Sequence, residues 1–263
     1  MGLTQPTLGR QVAALEEELG VTLFERVGRS MSLTQSGLQL LDHVRAMGDA
    51  AGRISLTASG QSQAIEGQVR ITASDVTCVY HLPDVLKRLR EIAPGIEVEV
   101  VAANDVRDLQ RREADIAIRH VRPDQPDLIA RLLGETSGHL YAATTYLDAH
   151  GRPGSANDLA DAAFIGIDDS ERMLANLHAL GLPVTQRNIR FTTGSGVVMW
   201  ELIKQGLGIG LMVKDVAAVT PGVECVLPEL ETSSVPIWLT THRELHTSRR
   251  IRLVFDLLAE AIA

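Results

Sequence analysis

An alternation of strand and helix patterns, which begins at Gln68, constrains the fold of this chain more than any other feature. The segments QVRITAS, IEVEVVAA and DIAIRHV have the apolar character of buried strands, and helical patterns at 82–95 and 104–114 separate them. This β-α-β-α-β order predicts a parallel sheet covered by helices. Further strands and helices follow as far as a helix at 248–262, with LIARLLG and HLYAAT predicted as two separate strands. We therefore expect two α/β lobes.

The first sixty residues are predicted to be helical with one interruption. A first helix has its N-cap at Thr4, places Pro6 in its first turn and ends at Gly20. VTLF and SMSLT then predict a hairpin around a turn at 25–29. A second helix at 34–59 carries a heptad seam, which favours dimerisation; the alternative is a helix that packs onto its own domain. The seam consists of Leu40, Val44, Met47, Ala51, Ile54 and Ala58.

The composition excludes several classes of protein. Hydrophobic residues make up 45% of the chain and charged residues 22%, which is typical of a globular rather than a disordered protein. A net charge of -8 argues against a protein that coats nucleic acid over its whole surface, although a local DNA-binding face is compatible with it. The sequence has no apolar run long enough to span a membrane, no signal-peptide pattern and only two cysteines. We therefore expect a cytoplasmic protein with reduced thiols and no membrane partner.

The motifs occur in a characteristic order. LTQPTLGRQVAALEEELGVTLFERVGRSMSLTQSG contains QPT, R-Q, an apolar helix, LFER and L-T-x-x-G, and EIAPGIEVEVV, DIAIR, LYAATTYLDAHGRP and IKQGLGIGLMV follow. Over essentially the whole chain the sequence resembles the LysR-type transcriptional regulators. The resemblance implies an α/β fold in which a partial winged helix-turn-helix and a long linker helix precede a two-lobed effector domain like a periplasmic binding protein. The implied domains are 1–33, 34–66 and 67–263, with lobe I at about 67–133 and 237–263 and lobe II at about 134–236.

Two functions follow from the resemblance. Members of the family carry two further helices before the recognition helix, and the printed sequence opens at Met1 without them. The first function is a DNA-binding regulator whose effector domain senses a small metabolite, with an anion as the expected type. The alternative is a stand-alone small-molecule binding or dimerisation protein without competent DNA binding. The partners implied for the regulator are double-stranded promoter DNA, a small-molecule effector, a second copy of the chain in a dimer or tetramer, and RNA polymerase.

The resemblance also implies which residues read DNA. A recognition helix lies in the major groove with its N-terminal residues at the base edges, where glutamine suits adenine and arginine suits guanine. The hairpin arginines and the start of the second helix are expected to contact phosphates. The predicted DNA-binding residues are Gln5, Pro6, Thr7, Arg10, Gln11, Arg26, Arg29 and Thr34. Local charge gives little support, because residues 1–60 hold five arginines against six acidic residues.

Short polar side chains follow several predicted strands. Ligands of open α/β sheets bind at the carboxyl ends of strands, and exposed N–H groups at helix starts would favour an anion such as a carboxylate. For any single serine or threonine, an N-cap role is the alternative. The predicted effector-binding residues are Ser74, Thr77, Asn104, His120, Thr144, Thr193, Ser195 and Met212.

Enzyme motifs are absent from the sequence. His242 and His246 flank Arg-Glu-Leu, so the glutamate is not where a zinc-binding H-E-x-x-H helix requires it. Ser195 lies between glycines but lacks the outer glycines of a nucleophile elbow. We therefore expect no enzymatic activity, no cofactor and no metal.

Overall fold

The computed structural model describes residues 5–27, 30–37, 40, 41, 44, 65–104, 114–167, 170–230 and 233–262. The chain divides into two compact units, Met1–Leu56 and Thr57–Ala263. Each unit has its own local architecture.

The first unit contains the predicted helix and hairpin. Helix α1 covers Gln5–Leu19, and strands β1 (Phe24–Val27) and β2 (Ser30–Leu33) pair antiparallel. The first strand begins three residues later than predicted, at Phe24, whereas the second begins at Ser30 as predicted. The N–H groups of Leu23 and Phe24 both donate to Oε1 of Glu16, at 2.7 and 3.0 Å, so the segment before Phe24 is held by α1 rather than by a ladder.

A second helix begins directly after the hairpin. Residues 35–37, 40, 41 and 44 are helical, and Oγ1 of Thr34 accepts the N–H of Gly37 at 3.0 Å, as an N-cap does. A Cβ at Gly37 would collide with the carbonyl oxygen of Leu23, which explains the glycine of the L-T-x-x-G motif. Met47, Ala51, Ile54 and Ala58 of the heptad seam lie outside the described residues, and the dimerisation helix stays a prediction.

The second unit alternates strands and helices. Its strands are β3 (Gly67–Ala73), β4 (Ile96–Ala102), β5 (Ile116–Arg119), β6 (Leu128–Ala143), β7 (Phe164–Ile167), β8 (Ile189–Thr193), β9 (Gly210–Val213), β10 (Val223–Val226) and β11 (Ser233–His242). Its helices are α2 (Asp75–Tyr80), α3 (Leu82–Ile92), α4 (Thr144–His150), α5 (Ser170–Ala179), α6 (Gly196–Lys204), α7 (Lys214–Ala218) and α8 (Arg249–Ile262). The helix predicted at 104–114 lies almost entirely outside the described residues.

Most strands belong to one curved sheet. Its order is β10-β6-β11-β5-β3-β4, and β9 pairs with β6 as well. Strand β3 is parallel to β4 and β5, as the β-α-β pattern predicts, whereas β11 is antiparallel to β5 and β6. Strands β7 and β8 form a separate parallel pair, which a bridge between Phe164 and Ile209 connects to the start of β9.

Strand β6 joins the two lobes. It is one continuous strand of 16 residues, so the prediction of two separate strands at LIARLLG and HLYAAT is wrong. The polar segment between them remains extended because Glu135, Thr136 and Ser137 pair with β11. The first part of β6 therefore pairs with β11, on the side of the sheet that holds β5 and β3. The last residues of β6 pair with β9 and β10. The two-lobed α/β fold is confirmed, while the residue boundaries of the lobes stay predictions.

Each lobe has an apolar core. In the first lobe, α8 places Ile251, Val254, Phe255 and Leu258 in the interior, the face that its periodicity predicts. In the second lobe Trp200 is fully buried and meets the ring of Tyr141 edge to face, with 5.8 Å between the ring centroids. These cores hold the ends of β3, β4, β5 and β9 in fixed positions.

Candidate functional site

Helix α1 presents part of the predicted DNA-binding set. Arg10 and Gln11 are exposed on this helix. Gln5, Pro6 and Thr7 lie in its first turns, but their side chains are outside the described residues. The same holds for the side chain of Arg26 in β1 and for the whole of Arg29. Thr34 is half-buried as the N-cap of the second helix.

Two polar side chains fix the hairpin to the helices around it. Glu16 of α1 accepts the two backbone N–H groups just before β1, and Thr34 donates its hydroxyl to the carbonyl of Thr22 at 2.6 Å. The N–H of Thr34 also donates to the carbonyl of Leu23 at 3.0 Å. The structure therefore positions the hairpin relative to α1, a role for Glu16 that sequence reasoning missed.

A cavity of about 330 Å³ lies between the two lobes of the second unit. Five of the eight predicted effector-binding residues line it, namely Ser74, Thr77, Asn104, His120 and Met212. Lobe I contributes the start of α2 and the ends of β4 and β5. Lobe II contributes the end of β9 and the start of α6, and the connecting strand β11 contributes Val235 and Ile237. The carboxyl ends of the parallel strands β4 and β5 thus meet the end of β9 at one cavity, as expected for an open α/β sheet.

Hydrogen bonds join the lobes beside this cavity, and we call them the interlobe latch. On lobe I the latch consists of Asp75 and Asn104, and on lobe II of Gly194, Ser195 and Val197. Oδ2 of Asp75 accepts the hydroxyl of Ser195 at 2.5 Å and the N–H of Val197 at 3.2 Å. Nδ2 of Asn104 donates to the carbonyl of Gly194 at 2.9 Å. The latch places the carboxylate of Asp75 at the N-terminus of α6.

The latch favours the ionised form of Asp75. Burial opposes ionisation, but the hydrogen bonds from Ser195, Asn104, Val197 and Val76 together hold the pKa of the Asp75 carboxyl below its ordinary value. A carboxylate at a helix N-terminus is also favoured by the helix dipole. Asp75 is therefore an anion built into the protein at the place where the sequence predicted an anionic ligand.

Several N–H groups at the two helix starts already have acceptors within the protein. In α2, the N–H of Asp75 donates to Asn104, that of Val76 to Oδ1 of Asp75 and that of Thr77 to Ser74. In α6, the N–H of Val197 donates to Asp75 and that of Val198 to Oγ of Ser195. Five of the N–H groups that were expected to favour an anion are therefore already hydrogen-bonded within the protein.

Three predicted residues do not line the cavity. Thr144 follows the end of β6, and β6 runs antiparallel to β9, so the carboxyl end of β6 lies at the opposite edge of the sheet from that of β9. This corrects the expectation that Thr144 converges with the others. Oγ1 of Thr193 accepts the N–H of Ser195 at 3.1 Å. Ser195 is the N-cap of α6 and belongs to the latch.

Two histidines line the cavity. Burial lowers the pKa of the His120 imidazole below its ordinary value, which favours the neutral ring. Its Nδ1 lies 3.2 Å from the carbonyl of Pro236, which can only accept, so Nδ1 carries the proton of the neutral ring. Nε2 of His81 lies 3.2 Å from Oδ2 of Asp215, and Thr136 donates to Oδ1 of the same carboxylate at 2.9 Å.

Sequence reasoning missed four polar residues of this site. Asp75, His81, Thr136 and Asp215 all line the cavity. Asp75 and Asp215 each stand in the first turn of a helix that directly follows a strand, and that position could have identified them. Thr136 had no such signal, because its placement depends on β6 being one continuous strand.

Comparison with known families shows which family the chain belongs to. The family model described as "LysR substrate binding domain" matches residues 62–263, and the model "Bacterial regulatory helix-turn-helix protein, lysR family" matches residues 1–38. The chain is a member of the LysR family of transcriptional regulators. LysR-family proteins are regulators of transcription and not enzymes, so the expectation that the chain is not an enzyme is confirmed.

Individual relatives are similar over the whole chain or over part of it. The HTH-type transcriptional regulator CrgA of Neisseria meningitidis serogroup C is 25% identical over 268 residues, which cover 100% of this chain and 89% of CrgA. A probable hydrogen peroxide-inducible genes activator of Mycobacterium xenopi is 39% identical over 101 residues, or 38% of this chain and 53% of that protein. The full-length structure of the Vibrio cholerae virulence activator AphB has a TM-score of 0.68 at 22% identity, with 98% of this chain and 90% of AphB covered. The likeness to AphB shows a shared fold.

In the described part of this LysR-family chain, no helix combines the length and the apolar character needed to cross a membrane. The same residues contain no group of three or more histidine, cysteine, aspartate or glutamate side chains arranged to hold a metal ion.

Proposed function

We propose that this chain binds promoter DNA through α1 and the β1–β2 hairpin, and that a small molecule in the interlobe cavity changes this binding. The observation that carries the proposal is the pairing of two family matches, one over residues 1–38 and one over residues 62–263, in a chain whose second unit has a cavity between its lobes. The match over residues 1–38 favours the regulator over the stand-alone binding protein.

The DNA-binding part of the proposal depends on α1. Arg10 and Gln11 are exposed there and have the side chains that read guanine and adenine in the major groove. Gln5, Pro6 and Thr7 of the same helix, together with Arg26, Arg29 and Thr34, complete the proposed interface. Glu16 supports this interface by holding the start of the hairpin against α1.

The effector part of the proposal depends on the cavity. Ser74, Thr77, His120 and Met212 are proposed to contact the ligand, and Asn104 and Ser195 to control lobe closure through the latch. A ligand that touches both lobes favours the conformation in which they are joined. We also propose self-association through the helix that starts after Thr34 and action in the cytoplasm. Contact with RNA polymerase stays a prediction.

Peroxide sensing has little support from the two cysteines. A relative from Mycobacterium xenopi is named a probable hydrogen peroxide-inducible genes activator. In this chain, burial raises the pKa of the Cys78 thiol and of the Cys225 thiol. The thiolate is the form that peroxide oxidises, so both thiols are held in the less reactive state.

The DNA-binding proposal is tested by selection from randomised duplex DNA with the full chain, followed by gel-shift titration of the selected sequence. Arg10→Ala is expected to weaken binding to that sequence by roughly 5- to 150-fold, since one specific arginine–base contact contributes about 1–3 kcal/mol. Arg187→Ala is the matched control, because Arg187 is an exposed arginine of the second unit. Binding should be unchanged in this control.

Two results would contradict the proposal. Selection that enriches no sequence over random DNA at modest salt removes DNA recognition as the function of α1. A specific sequence that Arg10→Ala binds as tightly as the unaltered chain would leave the regulator assignment standing but move the base-reading contacts away from Arg10.

A further inference from the structure

The charges that line the interlobe cavity do not suit an acidic ligand. Among the described residues that line it there is no lysine or arginine, whereas two carboxylates, Asp75 and Asp215, do line it. The one imidazole beside a carboxylate, His81, already lies 3.2 Å from Asp215. A carboxylate ligand would therefore be buried next to two like charges, with no lysine or arginine among the described lining residues, and this is unfavourable.

The N–H groups of residues 75–77, 197 and 198 at the helix starts are engaged within the protein and offer little compensation. The carboxylate of Asp75 occupies the N-terminus of α6, through its bonds from Ser195 and Val197. The first N–H groups of α2 donate to Asn104, Asp75 and Ser74. A ligand anion would have to displace Asp75 from the latch to reach these groups.

The rest of the lining is mostly apolar, although Ser74, Thr77, Asn104, Thr136 and His120 contribute polar groups. Side chains such as Met199, Leu211 and Ile237 make up most of the cavity wall. His120 is held neutral by burial and donates Nδ1–H to the carbonyl of Pro236, so its Nε2 is a hydrogen-bond acceptor. An acceptor at this position suits a ligand with an O–H or N–H donor, which a carboxylate lacks.

We infer that the effector of this cavity is an uncharged, largely apolar small molecule that carries a hydroxyl or amide group. The inference rests on the proposed function, because it concerns the ligand of the same cavity. The inferred ligand is a neutral molecule, whereas the sequence predicted an anionic metabolite. Asp75, Asp215 and His120 are the residues that favour the neutral ligand.

The experiment compares probes that share an apolar skeleton and differ in the charge of the polar group. Calorimetric titration of the full chain uses benzyl alcohol, benzoate and benzylammonium, and then 1-hexanol, hexanoate and hexylammonium, each at millimolar concentration. Each alcohol is expected to bind at least about tenfold more tightly than the anion and the cation of the same skeleton, because only the ions pay for burying a charge. Val235→Trp, which fills the cavity, should abolish alcohol binding. Val100→Trp, at an exposed position of β4, should not.

The outcomes separate this inference from the proposed function. Tighter binding of benzoate or hexanoate that Val235→Trp removes would overturn the neutral ligand but support an effector cavity. Tighter binding of the ammonium probes would overturn the inference in the same way. Alcohol binding that persists in Val235→Trp would place the ligand elsewhere and contradict both proposals. If no probe binds, the inference is overturned, and the promoter selection still decides whether the chain recognises DNA.

Discussion

Gly196 opens helix α6 where the two lobes are in close contact, and we expect one added methyl group there to disturb the interlobe latch. A Cβ at Gly196 would lie 2.6 Å from Cγ2 of Val76 and 3.3 Å from Oδ1 of Asp75. Carbon atoms prefer a separation of about 3.5–4.0 Å, so the lobes must separate locally by about 1 Å or Val76 must leave its rotamer. Val76 lies on α2, and a β-branched residue in a helix has essentially one favourable rotamer.

The size of the effect follows from the cost of overpacking. Inserting a methyl group into a filled contact costs about 1–3 kcal/mol. This cost lowers the equilibrium ratio of joined to separated lobes by roughly 5- to 150-fold. Helix propensity acts in the opposite direction, because alanine is favoured over glycine in a helix by about 0.5–1 kcal/mol. A weaker latch in Gly196→Ala therefore cannot be attributed to a weaker α6.

Hydrogen exchange measures the latch directly. The N–H of Val197 donates to Asp75 across the lobes, so a peptide covering 194–200 should exchange faster in Gly196→Ala than in the unaltered chain. Gly154→Ala is the matched control, because the nearest atom to its added Cβ is Oδ2 of Asp158 at 3.8 Å, an ordinary contact. Adding Val76→Ala to Gly196→Ala should restore slow exchange. Unchanged exchange in the single variant, or no rescue in the double variant, would refute the steric reasoning.

Two further predictions concern single carboxylates. Glu16→Ala is expected to lower the free energy of unfolding of the first unit by about 1–3 kcal/mol, because two backbone N–H groups lose their acceptor. The measurement is a denaturant titration. Glu17 is exposed, so Glu17→Ala should leave the free energy of unfolding unchanged in the same titration. Equal effects of the two variants would show that Glu16 does not hold the hairpin. The latch stabilises the fold above the ordinary pKa of 3.8 for Asp75 and should be lost as the pH falls through its lower folded value, since the folded state favours the ionised carboxyl. The difference in melting temperature between the unaltered chain and Asp75→Asn should therefore shrink as the pH falls below about 4 and through the lowered pKa; a constant difference would contradict this.

The sequence predicted the architecture well where one pattern decided it. The alternation after Gln68 predicted the parallel arrangement of β3, β4 and β5, and the periodicity of α8 predicted its buried face. It failed at β6, because the polar segment around Glu135 suggests a break, although pairing with β11 keeps it extended. Pairing partners that lie about a hundred residues away leave no local signal in the chain.

The candidate site was predicted by position but not by chemistry. Ser74, Asn104 and His120 follow strand ends and reach the cavity as predicted. Thr144 does not, because the direction of β6 relative to β9 cannot be read from a strand pattern alone. The sequence also could not show that Asp75 satisfies the N-terminus of α6, since the two lie more than a hundred residues apart and meet only when the lobes are joined.

The latch limits how a ligand can act on this protein. The lobes are already bonded to each other through Asp75, Asn104 and Ser195, so a ligand is not needed to supply the polar contacts of closure. What it adds is apolar burial, about 0.8 kcal/mol for each buried CH₂ group, or roughly 5 kcal/mol for a six-carbon chain. Only the part of that burial present in the joined conformation shifts the equilibrium, and about 5 kcal/mol corresponds to a shift of several thousandfold. A ligand enclosed between Met199 of one lobe and Ile262 of the other gains this burial in the joined conformation alone, so shape and hydrophobicity rather than charge would control the response.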